Sequence, residues 1–97
     1  MKKPKPELIM EKKVFGVRIA LTKTLLFYDI LALSDDRDKL EWVKNKYGTT
    51  SYIIEDSIYD TSLVVLDTFT ELDDAVEVYN KIEDIIDINR MFGYEES

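Results

Sequence analysis

Between Lys13 and Leu21 the chain alternates, with Phe15, Val17, Ile19 and Leu21 set against Gly16, Arg18 and Ala20. A period of two predicts a strand with one buried face. Thr22-Lys23-Thr24 reads as the connection to a second strand, Leu25 to Leu33, which is apolar on both sides. Leu26, Tyr28, Ile30 and Ala32 face one way; Leu25, Phe27, Leu31 and Leu33 face the other, with Asp29 among them. A strand of that kind belongs in the middle of a sheet. The period then changes: Ser34-Asp35-Asp36 supplies an N-cap and first-turn acids, Leu40, Val43 and Tyr47 form an inward stripe, and Gly48 ends a helix of about three turns.

The pattern recurs in the second half. Thr49 to Ile58 and Ser62 to Phe69 are rich in β-branched and aromatic residues and are expected to pair as a hairpin around Tyr59-Asp60-Thr61. Thr70 then opens a longer helix whose apolar face reads Leu72, Ala75, Val76, Tyr79, Ile82, Ile86. The order ββαββα predicts an α+β two-layer sandwich, an antiparallel four-stranded sheet with two helices on one face. Pro4 and Pro6 among lysines mark residues 1–12 as a flexible basic tail, leaving 13–97 as a single α+β domain.

Composition narrows the chemistry. Ninety-seven residues at 45% hydrophobic content suit one compact domain. With neither cysteine nor histidine, disulfides, thiolate zinc sites and the commonest general base are excluded. Gly16, Gly48 and Gly93 stand alone, so there is no phosphate loop or dinucleotide fingerprint, and no serine has a nucleophile-elbow setting. The clusters Asp35-Asp36-Arg37-Asp38 and Glu55-Asp56 through Asp60 lack the glycine and spacing of a calcium loop. No enzyme activity, metal or cofactor is expected. The basic start is broken by Glu7 and Glu11 and is no export signal, and Leu25–Leu33 is about half the length of a membrane span. A soluble, cytoplasmic protein with no membrane partner is the expectation.

Charge gives the one feature that points outward. Residues 1–48 hold 11 Lys/Arg against 7 Asp/Glu, whereas 49–97 hold 2 against 13. Such a body repels phosphates, which excludes direct binding of nucleic acid, and attracts basic protein surfaces. Asp73, Glu77, Asp84 and Asp87 recur at a spacing that keeps them on one side of the second helix, where Lys81 is the only lysine. A carboxylate row about 20 Å long compares with successive phosphates of a nucleic-acid strand. The plainer reading is the solvated flank of a surface helix.

Two apolar features complete the candidate surfaces. Trp42 falls about 200° around the first helix from Leu40, off the inward stripe, where it serves either as a partner hot spot or as packing against a neighbouring element. Leu25, Phe27, Leu31 and Leu33 lie on the sheet face that two helices leave uncovered, which predicts an oligomer interface there. The leading expectation is therefore a small acidic interaction module, an inhibitor that docks its negative helix into a basic, nucleic-acid-binding groove. The alternative is an assembly subunit that forms a homodimer or larger oligomer through the apolar sheet face.

Overall fold

In the computed structural model, residues 6–96 are described, with side chains through Asp87. The elements run β1 (Glu7–Val14), β2 (Val17–Lys23), β3 (Tyr28–Ser34), α1 (Arg37–Tyr47), β4 (Ile54–Asp56), β5 (Thr61–Phe69) and α2 (Leu72–Glu96). All pairings are antiparallel, and the sheet order is β1-β2-β3-β5-β4. The α+β sandwich is as expected, but the sheet has five strands rather than four. The fifth is β1: the stretch expected to be tail up to residue 12 is strand from Glu7, paired with β2 from Glu7↔Lys23 to Val14↔Val17.

What hid β1 is the turn that follows it. Phe15 and Gly16 are the two central residues of a hairpin between Val14 and Val17, with φ of 52° and 81°. Two successive positive φ values suit a two-residue hairpin, and Asn-Gly is the usual signal for one. Phe-Gly carries no such signal, so Phe15 reads as one more inward residue of a single strand. Instead its ring leaves the sheet and meets Trp42 edge-on, with centroids 5.4 Å apart and planes at 83°.

The helix-side core follows the alternation. Val17, Ile19 and Leu21 of β2, Ile30 and Ala32 of β3 and Val64 of β5 meet Leu40 and Val43 of α1 and Ala75, Tyr79, Ile82 and Ile86 of α2. Both helices thus lie on one face. Asp36 caps α1 by accepting from the Asp38 and Lys39 N–H groups, and Gly48 ends it at φ 96° with its N–H donated to the Lys44 carbonyl. On α2 the buried stripe begins at Ala75, and Leu72, expected to face inward, is exposed. A bulge between β3 and β5 leaves Leu66 between Val65 and Asp67. It turns Leu66 into the helix-side core and Asp67 toward Tyr47, whose hydroxyl donates to the carboxylate at 2.6 Å.

The other face is not open. Ala20, Leu31, Leu33 and Leu63 form a second buried cluster, with Tyr59 and Val65 packed on it. Tyr59 comes from the short β4–β5 connection. There Asp56 Oδ1 accepts from the N–H groups of Ile58 and Tyr59 at 2.7 and 3.2 Å, and Asp60 takes a left-handed φ of 54°. That local carboxylate turn swings the Tyr59 ring across the sheet. The strand expected over Thr49–Ile58 shrinks accordingly to Ile54–Asp56. Ahead of it Thr49 bonds the Val65 carbonyl and the Ser51 N–H through its side chain, which takes the local backbone away from a ladder.

Candidate interaction surfaces

The outward side of α2 is built by the same periodicity as its core. At 100° per residue, Asp73, Glu77 and Asp84 lie about half a turn from the Ala75, Tyr79, Ile82, Ile86 stripe. All three are exposed. Asp87 lies nearer the flank, about a third of a turn from the stripe, and is partly buried. Glu77 accepts from Lys81 at 3.1 Å, an i,i+4 pair with both side chains largely in solvent. Such a pair is worth only a few tenths of a kcal/mol.

The ion pairs described for the first half lie away from the Asp73, Glu77, Asp84 front. Lys12 reaches α2, but its ammonium lies 3.5 Å from Glu83 and donates to the Tyr79 carbonyl, on the flank beside the sheet. Arg18 pairs with Glu11 at 2.6 Å and Arg37 with Glu55 at 3.2 Å, both away from α2. The three side chains at the helix front therefore present carboxylates to solvent.

Trp42 resolves toward packing. It is half-buried, its ring held against Phe15, and it rests on the helix-side core.

The four residues expected to share an apolar sheet face are divided by the structure. Leu31 and Leu33 are 5% and 2% exposed beneath Tyr59. Leu25 and Phe27 are not in a strand, because β2 continues through Lys23 and β3 begins at Tyr28. They belong to the hairpin loop 24–27, with Leu25 93%, Leu26 70% and Phe27 43% exposed. Thr24 closes that loop by donating both its N–H and its hydroxyl to the Phe27 carbonyl, at 2.9 and 3.2 Å. Sequence periodicity missed Leu26, which pattern alone assigns to the helix side.

The two acidic clusters do meet, in an open groove of about 480 Å³ lined by Asp35, Arg37, Glu55, Asp56 and Asp60. Three of its four carboxylates are taken up internally. Asp35 accepts from the Thr61 hydroxyl at 2.8 Å, Glu55 from Ser62 and Arg37, and Asp56 from its own turn. Among the described residues no group of three acids is arranged to hold a metal ion.

Three tyrosines have hydroxyl pKa values raised above the usual 10.0. Burial is the first cause in each, aided by Asp67 at Tyr47, by Asp56 at Tyr59 and by Glu11 at Tyr79. All three are neutral near pH 7, and the Tyr47 proton is available to Asp67.

No family model, curated protein or solved structure matches the chain. No helix is long and apolar enough to cross a membrane among the described residues. The functional reading therefore rests on surface chemistry alone, on the acidic front of α2 and the apolar hairpin loop.

Proposed function

We propose that this chain is a small, non-enzymatic protein-interaction module whose α2 docks into a basic groove on a larger protein, of the kind that holds nucleic acid, and thereby regulates it. One observation carries the reading. Asp73, Glu77 and Asp84 face away from their own protein, in a stretch where Lys81 is the only basic residue between Leu72 and Asp87. From the first to the last of them the ridge spans about 16 Å at 1.5 Å per residue. Charge presented this way raises encounter rates with a positive surface and is screened by salt.

The test is affinity capture from a native lysate with wild type and with the double reversal Glu77→Lys/Asp84→Lys. The wild-type chain should retain a partner at low salt and release it at high salt. A short DNA duplex should compete for that partner, and the reversed variant should retain nothing. Both positions are exposed, so the variant keeps its fold, which circular dichroism verifies. Retention that survives the double reversal removes the reading.

A further inference from the structure

Strand β1 differs from the rest of the sheet in how little it buries. Of its eight residues only Val14 is buried, whereas five of the seven in β2 are. Val14 is also its only member of the helix-side core, with Ile9 packed against that core, and the far-face cluster draws nothing from β1. In the sheet it neighbours β2 alone. Without β1 a four-stranded sheet β2-β3-β5-β4 remains, with both helices and nearly the whole core in place. Segments with few buried apolar contacts open at lower free energy than the core behind them.

The attachments of this strand work against one another. At the turn Phe15 holds a left-handed φ of 52°, a region costly for any residue with a Cβ. Freed of the turn, it returns to the extended backbone that aromatic and β-branched residues such as Val14 and Val17 favour. A bulge between Leu8 and Met10 interrupts the ladder further out. Against release stand the edge contact of Phe15 with Trp42 and, in the middle of the strand, Lys12. The Lys12 ammonium donates to the Tyr79 carbonyl at 2.9 Å, lies 4.4 Å from the ring centroid of the same residue and makes a looser pair with Glu83 at 3.5 Å.

We infer that β1 is a releasable strap: it peels from β2 as one unit, hinged at Phe15-Gly16 and caught by Lys12 on Tyr79, while the four-stranded sandwich stays folded. The open form bares the outer edge of β2 from Val17 to Lys23 and the side of Tyr79 that Lys12 covers. An unpaired edge of that length is a template for strand pairing, and the closed strap replaces it with a charged and bulged one. The catch ties closure to α2, the helix that also carries the acidic front.

Amide hydrogen exchange of the intact chain, followed residue by residue across low urea concentrations, is the test. After correction for intrinsic rates, the β1 amides that bond to β2 should exchange at least about a hundredfold faster than those of Ile30, Leu31 and Ala32. Their rates should also depend little on urea, because peeling one strand exposes little surface. Leu31→Ala should speed exchange in the core about thirtyfold or more and leave β1 within about twofold of wild type, since the far-face cluster it damages stays folded in the open form. Lys12→Met should speed β1 exchange about tenfold, and the core by the same factor because both openings lose the contact, whereas Glu83→Gln should change it by no more than about twofold. Amides of β1 that share the urea dependence of the core, or that follow the core under Leu31→Ala, overturn the inference, and the wild-type urea series decides this without any variant. A β1 rate untouched by Lys12→Met removes the catch and overturns the strap with it.

Discussion

Lys12 ties the edge strand β1 to α2 by two contacts with the same residue, Tyr79. Its ammonium donates to the Tyr79 carbonyl at 2.9 Å and stands 4.4 Å from the centroid of the same residue's ring. The Tyr79 side chain is buried between Lys12 and the core, so the ring offers one face to the cation and the rest to aliphatic packing. Glu83 adds a longer pair at 3.5 Å from a mostly exposed carboxylate.

Replacing Lys12 by Met keeps the aliphatic stem and removes the charge. Loss of the charged hydrogen bond and the cation–π contact should cost about 1–2 kcal/mol, read as a lower urea midpoint with an unchanged slope. Glu83→Gln should cost less than about 0.5 kcal/mol, as expected of a pair in solvent. Equal losses from the two changes would show that the distant ion pair, rather than the contact with Tyr79, anchors β1.

The Phe15-Gly16 turn sets two opposing terms against each other. A left-handed Phe costs about 1–2 kcal/mol relative to a residue suited to that region, and an edge-on aromatic pair returns about 0.5–1.5 kcal/mol. Phe15→Asn should therefore leave stability within about 1 kcal/mol of wild type while shifting Trp42 emission to the red, since the indole loses its cover. Gly16→Ala has no such compensation. Its φ of 81° is strained for any side chain, and the added Cβ would come within 3.3 Å of Lys39 Nζ. About 1 kcal/mol should be lost, most of it from the backbone because the lysine end can move. Thermal melts and fluorescence on the two variants measure both effects.

Tyr47 predicts how stability depends on alkaline pH. Its hydroxyl pKa is raised by burial and by donation to Asp67, so the folded state holds the proton more tightly than the unfolded chain does. The resulting stabilisation is fully present below the unfolded value of about 10 and is lost as pH rises from there through the folded value. Unfolding free energy should therefore fall above pH 10 with a slope shared among Tyr47, Tyr59 and Tyr79, and Tyr47→Phe should flatten it most. At pH 7 the same substitution should cost about 1–2 kcal/mol, because a partly buried carboxylate loses a donor. A variant with an unaltered alkaline slope would place the coupling elsewhere.

How much of this was legible in the sequence differs element by element. The helices were, because Leu40 and Val43 of α1 and Ala75, Tyr79, Ile82 and Ile86 of α2 keep the 3.6-residue period and caps mark both ends of α1. The inward alternation of β2 and β3 was legible for Val17, Ile19, Leu21, Ile30 and Ala32. Where chain reversal lacks the usual turn dipeptides, the reading failed. Phe15-Gly16 lacks the usual Asn or Asp before its glycine and Leu25-Leu26-Phe27 carries no turn residue, so periodicity ran through both turns: the end of β1 was read into β2, its earlier part as a basic tail, and the loop into β3. The acidic front of α2 could be placed because helical phase needs no tertiary information. The cover over Leu31 and Leu33 could not, since it depends on the Asp56 carboxylate turn aiming Tyr59 across the sheet.

That cover makes a sharp contrast between two leucines of the same run and the same parity. Leu31 is 5% exposed beneath Tyr59, and Leu25 is 93% exposed on the loop. Leu31→Ala should cost about 2–4 kcal/mol through lost burial and a cavity that the sheet cannot close, whereas Leu25→Ala should stay within about 0.5 kcal/mol of wild type. Tyr59 itself separates ring from hydroxyl. Its oxygen is buried and has no hydrogen-bond partner among the described residues, so Tyr59→Phe should leave stability unchanged or raise it by up to about 1 kcal/mol. Tyr59→Ala should lose about 2 kcal/mol and expose the second cluster to a hydrophobic dye. Urea titrations of the four variants at low protein concentration check the ranking. Equal costs at Leu25 and Leu31 would mean that the far face of the sheet is bare.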